Sequence, residues 1–414
     1  MFDGVRPAVR TRAAGLVIVL VAGLGLAGAA FPATAAPLQP QCDPLKPGGA
    51  LSGTPWAQTR LNLQRVAQVS TGRGVVVAVI DTGLDKRHPQ MLDAHVAPGR
   101  NVIGTGFSRT DTHDCSGSGH GTSVTSVIAA QHLEGVSFAG VAPDATIVPI
   151  KQTNTGGDKS GTAEGIAAGI EAAIAAKARV VNISVTASNP GTQLRAAVTA
   201  AARANLVIVA AAGNEGQGNN FPAYPAAYST EFPNVIAVSA SDVQDAIGTF
   251  ADTGNYVTVA APGVNVVVPA PIRGYTKVDG TSFAAPYVTG TVALVLAAHP
   301  SMTAAQVRNR IEATADRPPK SVPDRKYGWG IVNPYLAVTA IRDDATAVPI
   351  ARKGAPLPAL ALASPADRHL AHVALASAVV LLGLSLLAAA AAAVLRGQRH
   401  SGRRDARMGQ SAGG

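Results

Sequence analysis

The chain has 414 residues, 47% of them hydrophobic, a formal charge of +9 and two cysteines. That length supports a substantial core and excludes a small disulfide-stapled module. Residues 37–340 hold 22 Lys and Arg against 20 Asp and Glu, so the surplus positive charge lies near the ends, which argues membrane topology and not a nucleic-acid partner.

Residues 1–35 read as a secretory signal peptide. Arg6, Arg10 and Arg12 precede an apolar run from Ala13 to Ala30, and Ala33-Thr34-Ala35 fits the small-residue cleavage rule. An uncleaved anchor helix is the alternative, and both readings place the domain beyond it outside the cytoplasm. Residues 36–55, rich in Pro and Gly, read as an irregular N-terminal arm, and Trp56–Val66 as a helix after Thr54-Pro55. Only about forty residues precede the first strong strand, too few for a self-folding inhibitory prodomain of the usual chaperone-like kind.

Short apolar runs then alternate with helix-like stretches. Val75–Ile80, Ala145–Ile150, Arg179–Ser184, Leu206–Ala211, Val235–Ser239 and Tyr256–Ala260 are nearly continuous in Val, Ile and Ala, as strands buried on both faces tend to be. Between them Ser123–Gln131, Ala163–Ala176, Thr192–Ala204, Phe283–Ala298 and Thr303–Ala315 are helix-like. The alternation predicts an α/β domain over residues 56–340, a mostly parallel sheet with helices on both faces and function at the carboxyl ends of its strands.

Residues 341–371, with Pro349, Pro356, Pro358 and Pro365, read as a semi-extended linker. Residues 372–395 come next as a transmembrane helix: the uncharged run Val373–Leu395 has 23 residues, about 34 Å as a helix against a hydrocarbon core of about 30 Å. Arg396, Arg399, Arg403, Arg404 and Arg407 mark residues 396–414 as a basic cytoplasmic tail. Cys42 and Cys115 both fall in the exported part, where an even count favours a disulfide over two free thiols. Closing so long a loop stabilises by about 4–5 kcal/mol in the chain-entropy picture.

Four motifs carry the chemistry. Asp81-Thr82-Gly83 ends an apolar strand, so a carboxylate stands at a carboxyl end. Gly119-His120-Gly121-Thr122 precedes Val124, Val127 and Ile128 at helical spacing, which puts His120 at the mouth of a helix and off its buried face. Ala212-Gly213-Asn214 comes after another strand and presents a side-chain amide. Gly280-Thr281-Ser282-Phe283-Ala284-Ala285-Pro286 opens a long apolar helix, with the Ser282 hydroxyl expected to be exposed and its N–H aimed where that hydroxyl attacks. Together they supply serine acyl transfer: Ser282 as nucleophile, His120 as general base and acid, Asp81 holding the imidazole, and Asn214 with the Ser282 N–H as oxyanion donors.

These motifs, in this order, resemble those of the subtilisin-type (subtilase) serine peptidases over residues 56–340. With the signal, linker, membrane helix and tail, the chain further resembles the mycosins, membrane-anchored subtilases attached to type VII secretion systems. The resemblance implies limited proteolysis of secreted protein substrates, a structural role in the membrane complex, and an N-terminal arm tied by a Cys42–Cys115 disulfide near the histidine loop. Ser184, Val185 and Thr186 fall on the family's substrate-pairing strand. Thr186 departs from the Gly common there, which predicts restricted specificity and low general activity.

Two other chemistries fit less well. Asp-Thr-Gly recurs at Asp252, as an aspartic-peptidase dyad would require, but the alternating helices contradict an all-β fold. His88, His95, His113 and His132 are scattered, and no clustered carboxylate loop stands out, so neither a metal nor another cofactor is expected. A non-catalytic scaffold that keeps a peptidase fold is the alternative of a different class.

Overall fold

The computed structural model describes residues 42–104, 108–156 and 161–342. The segments expected to be signal peptide, membrane helix and tail, and nearly all of the expected linker, lie outside the described residues. The described residues form nine strands and eight α-helices. Strands β1 (Val76–Asp81), β2 (Arg100–Asn101) and β3 (Thr146–Lys151) are followed by β4 (Val180–Ile183), β5 (Val207–Ala211), β6 (Val235–Ser241) and β7 (Val259–Pro262). These seven form one parallel sheet in the order β2-β3-β1-β4-β5-β6-β7. The order reverses beside β1, so the carboxyl end of β1 is the switch point where crevices open in such sheets. Asp81 is the last residue of that strand.

The β-branched runs bury both faces, as their composition requires. Val77 and Val79 of β1 face one core and Ala78 and Ile80 the other; in β5, Val207 and Val209 oppose Ile208 and Ala210. Helices α3 (His120–Ala129), α6 (Thr281–Ala298), α7 (Ala304–Thr314) and α8 (Pro334–Thr339) cover the first face. Helices α4 (Ala163–Ala175) and α5 (Thr192–Arg203) cover the second. Helix α6 is apolar and long enough to cross a membrane, yet 89% of its most apolar window is buried inside the domain. It is a core helix.

Several elements differ from the sequence expectation; β2 and α8 have no forerunner there. The helix expected over Trp56–Val66 is two, α1 (Trp56–Arg60) and α2 (Leu63–Val66), because Asn62 takes a left-handed φ of 50° between them. The strand expected over Tyr256–Ala260 begins only at Val259, since the Val257 N–H turns back to the Gly254 carbonyl at 3.1 Å. A two-stranded antiparallel ribbon, β8 (Val266–Pro269) and β9 (Tyr275–Val278), has no forerunner among the expected elements; β9 is half-exposed and lacks the apolar run that marks the central strands. The arm pairs with this ribbon through Gly49, whose N–H donates to the Tyr275 carbonyl at 3.0 Å and whose carbonyl accepts from the Tyr275 N–H at 2.8 Å.

Candidate active site

The carboxyl ends of β1, β4 and β5 and the first turns of α3 and α6 converge on one crevice. Asp81, 1% exposed, accepts from His120 Nδ1 and from the Thr82 N–H, both at 2.8 Å and both on Oδ1. A carboxylate only accepts, so Nδ1 carries a proton, and in the neutral imidazole Nε2 is then the acceptor. His120 opens α3, a helix buried along its whole length. The expectation of a histidine away from a buried face therefore gives way to one that is itself only 7% exposed. Its N-cap, Gly119, has φ 67°, and a Cβ there would stand 1.8 Å from Pro271 Cγ. Only glycine fits that turn.

Asp114 welds the two motifs together, and no motif in the sequence singles it out. Fully buried, it accepts from Thr82 Oγ1 at 2.9 Å, from Ser116 Oγ at 2.8 Å, and from Thr122 Oγ1 and N–H at 2.7 and 3.0 Å. Thr82 Oγ1 in turn accepts from the Gly121 N–H at 2.9 Å, and Ser116 Oγ from the His120 N–H at 3.0 Å. One carboxylate thus fixes the turn after Asp81 against the start of the His120 helix. Beneath the same loop the Lys151 ammonium donates to the His113 carbonyl at 2.6 Å. Burial pushes the Lys151 amine below its ordinary range, against the opposing pull of Asp111 and Asp114. Polar residues in a loop carry no periodic signal, so only the adjacency of Asp114 to Cys115 points to this place. Cys115 and Cys42 are joined, and Asp43 bridges Ser116, which lays the arm against the histidine loop.

Ser282 is the second residue of α6, after Thr281, and is 2% exposed. The expected exposed hydroxyl is instead nearly covered, because the sheet ends, Phe283 and the Asn214 turn enclose the first turn of the helix. Phe283 packs on His120 with ring centroids 5.1 Å apart, bringing that turn against the imidazole. A Cβ on Gly280 would stand 2.9 Å from Ser282 Oγ and 3.4 Å from Asn214 Nδ2, so hydroxyl and amide border one small volume. Asn214 Oδ1 accepts from the Thr281 N–H at 2.9 Å, which turns Nδ2 toward that volume.

Helix α6 contains Pro286. Proline has no N–H, so the carbonyl four residues earlier, that of Ser282, loses its helical donor. Ser184 Oγ supplies the missing bond at 2.7 Å, and itself accepts from Asn182 Nδ2 at 2.9 Å. Asn182 Oδ1 accepts from Thr289 Oγ1 at 2.8 Å, closing the relay back onto α6. The Ser184 hydroxyl therefore points inward at the serine turn. Val185 is fully buried and Thr186 is 7% exposed, and the segment pairs at Ala187 with Tyr224 through two bonds of 3.0 Å. The second Asp-Thr-Gly lies elsewhere: Asp252 bonds to the Asn214 turn and Asp81 to His120.

Comparison with known proteins agrees with this geometry. The subtilase family (Peptidase S8) matches residues 72–330. Subtilisin DY of Bacillus licheniformis is 37% identical over 270 residues, 64% of this chain and 92% of that protein. Thermitase of Thermoactinomyces vulgaris is 33% identical over 287 residues, 69% of this chain and 96% of that protein. Among solved structures, the MycP3 protease of the type VII (ESX-3) secretion system is similar with a TM-score of 0.62 and 32% identity, over 73% of this chain and 93% of that one. MycP1 from Mycobacterium smegmatis is similar with a TM-score of 0.60 and 29% identity, over 73% and 89% of the two chains. A parallel sheet with its switch point at Asp81, and a family match spanning that sheet, make the chain a member of the subtilase family, a subtilisin-like serine endopeptidase related to the mycosins.

Proposed function

We propose that the chain is a membrane-anchored, extracytoplasmic serine endopeptidase that makes limited cuts in secreted proteins, associated with a type VII secretion system. The 2.8 Å Asp81–His120 bond carries the catalytic part of this reading, since it fixes the one tautomer able to act as base toward the first turn of α6. Ser282 Oγ attacks the scissile carbonyl while His120 Nε2 takes its proton. Asp81 stabilises the imidazolium, and the Asn214 amide with the Ser282 N–H holds the oxyanion. Collapse of the tetrahedral intermediate releases the amine, protonated by His120, and leaves an acyl-enzyme that water hydrolyses by the same steps in reverse. No metal or other cofactor has a part in this scheme. The charge pattern at the chain ends and the likeness to MycP1 and MycP3 support the location and the secretion partner.

Labelling the full chain in membranes with a serine-directed phosphonate and locating the adduct by mass spectrometry tests the chemistry. An adduct on Ser282, absent in Ser282→Ala, is the expected result. Folded protein that takes no label would favour the scaffold reading, in which the chain serves chiefly as a structural subunit of the secretion complex.

Two variants probe the site further. Asn214→Ala is expected to lower kcat by about 10²–10³-fold with KM nearly unchanged, the figure found for the equivalent loss in subtilisin itself, because the amide acts on charge present only in the transition state. A rise in KM at constant kcat would assign Asn214 to ground-state binding instead. Ser184, Val185 and Thr186 are proposed to pair with substrate through their backbone, with the Thr186 side chain narrowing the approach. Thr186→Gly is then expected to broaden the residues accepted before the scissile bond in a peptide-library digest. Rapid, indiscriminate digestion of casein by the unaltered protein would refute the restriction.

A further inference from the structure

The second Asp-Thr-Gly motif has no role in the mechanism above, yet its carboxylate is 1% exposed and packed against the oxyanion turn. The turn Ala212–Gly216 is held from one side by the segment Phe250–Tyr256. Tyr256 Oη donates to the Ala212 carbonyl at 3.2 Å, and the Asp252 N–H to the Gly213 carbonyl at 2.9 Å. Asp252 Oδ1 accepts from the Glu215 N–H at 2.7 Å, and the Phe250 carbonyl from the Gly216 N–H at 2.8 Å. Residues 212, 213, 215 and 216 are thus all pinned, and Asn214 is the one residue of the turn whose side chain faces the nucleophile.

Asp252 is the centre of this clamp, because it bonds both neighbours of Asn214, Gly213 through its main-chain N–H and Glu215 through its carboxylate. The backbone is shaped around it. Gly213 has φ 110°, and a Cβ there would stand 2.0 Å from Asp252 Oδ2. The carboxylate therefore fills the space that a side chain at 213 would take, and a bond from an N–H to a carboxylate is stronger than a neutral one. The clamp is itself braced: Asn220 accepts from the Thr253 N–H at 2.7 Å and donates to the Thr253 carbonyl at 3.0 Å.

We infer that Asp252 is a positioning residue for the oxyanion donor, holding the turn so that Asn214 Nδ2 meets the developing charge without reorganising. This inference rests on the proposed role of Asn214. An oxyanion donor must be aimed at the transition state in advance, and a small displacement of the turn weakens it there while leaving substrate binding intact.

The test is a double-mutant cycle on the full-length protein with Asp252→Ala and Asn214→Ala, reading kcat, KM and Tm. Asp252→Ala is expected to lower kcat by about 10–100-fold with KM within about twofold, a fraction of the loss on deleting an oxyanion donor outright. In the Asn214→Ala background the same change is expected to cost less than about threefold, since residues acting as a unit are not additive. Asp252→Asn, which keeps an acceptor for the Glu215 N–H, is expected to restore most of kcat. An equal loss in both backgrounds, or a folded Asp252→Ala protein with unaltered kcat, overturns the inference. If Asp252→Ala does not fold, Asp252→Ser, too short to reach the Glu215 N–H, is judged by the same criteria. Failure of the underlying reading has a separate signature: Asn214→Ala alone would then leave kcat unchanged.

Discussion

Ser282→Ala is expected to lower kcat toward a cleavable peptide by on the order of 10⁶-fold, the size of loss known for the corresponding change in subtilisin, a relative of this chain. In the proposed scheme His120 and Asp81 act through this hydroxyl. Without it His120 has no proton to take and no acyl-enzyme can form, so what is left is the weaker assistance that the oxyanion donors give to attack by water. The substitution removes one oxygen from a covered position. The anchor to Ser184 uses the main-chain carbonyl of residue 282 and survives the change. Tm is therefore expected to stay within a few degrees of the parent, and stopped-time peptide assays beside thermal unfolding read both quantities. A loss below about 10³-fold in a folded protein would move the nucleophile elsewhere.

Asp81→Asn is the second large effect, a fall in kcat of about 10⁴-fold, as seen when the buried aspartate of such a triad becomes an amide. The Thr82 N–H already donates to the oxygen that faces His120. In the rotamer that turns its NH₂ toward the imidazole, an asparagine gives up that bond, and the imidazole must then accept at Nδ1. The proton moves to Nε2, and the ring can no longer act as a base toward Ser282. KM is expected to change little, because Asp81 lies behind His120 and away from the crevice. A variant retaining more than a tenth of the parent kcat would show that the tautomer is not what Asp81 sets.

The sheet was legible because parallel strands buried on both faces leave near-continuous Val, Ile and Ala runs. All six of those runs became strands, shifted by a residue or so except at the one beginning with Tyr256. The site motifs were legible for a different reason: each is a chemically distinctive residue placed just past a strand or at the head of a helix. What escaped was the support. Asp114 and Lys151 are buried ionic groups in or beside a loop, and each has a partner in a distant segment, Thr82 at 32 residues and His113 at 38. The β8–β9 ribbon has too little apolar content to announce itself. The exposure of Ser282 was misjudged since a helix N-terminus seen in isolation is open, and only packing shows what closes over it. The sequence offers Asp252 only as half of a carboxylate dyad, which the alternating helices exclude, because a motif gives a residue's type and not which neighbour it will grip.

Pro286 carries a consequence for anyone seeking a hardier form of this protein. A proline past the first turn of a helix costs about 3 kcal/mol or more, so a stabilisation scheme guided by helix propensity would replace it first. Any replacement restores an N–H that competes with the Ser184 hydroxyl for the Ser282 carbonyl. The cost in helix stability and the fixed aim of the nucleophile are two readings of a single missing bond. Thermal robustness and catalytic speed are therefore opposed at this position, and improvement in one is best sought at sites that do not touch it.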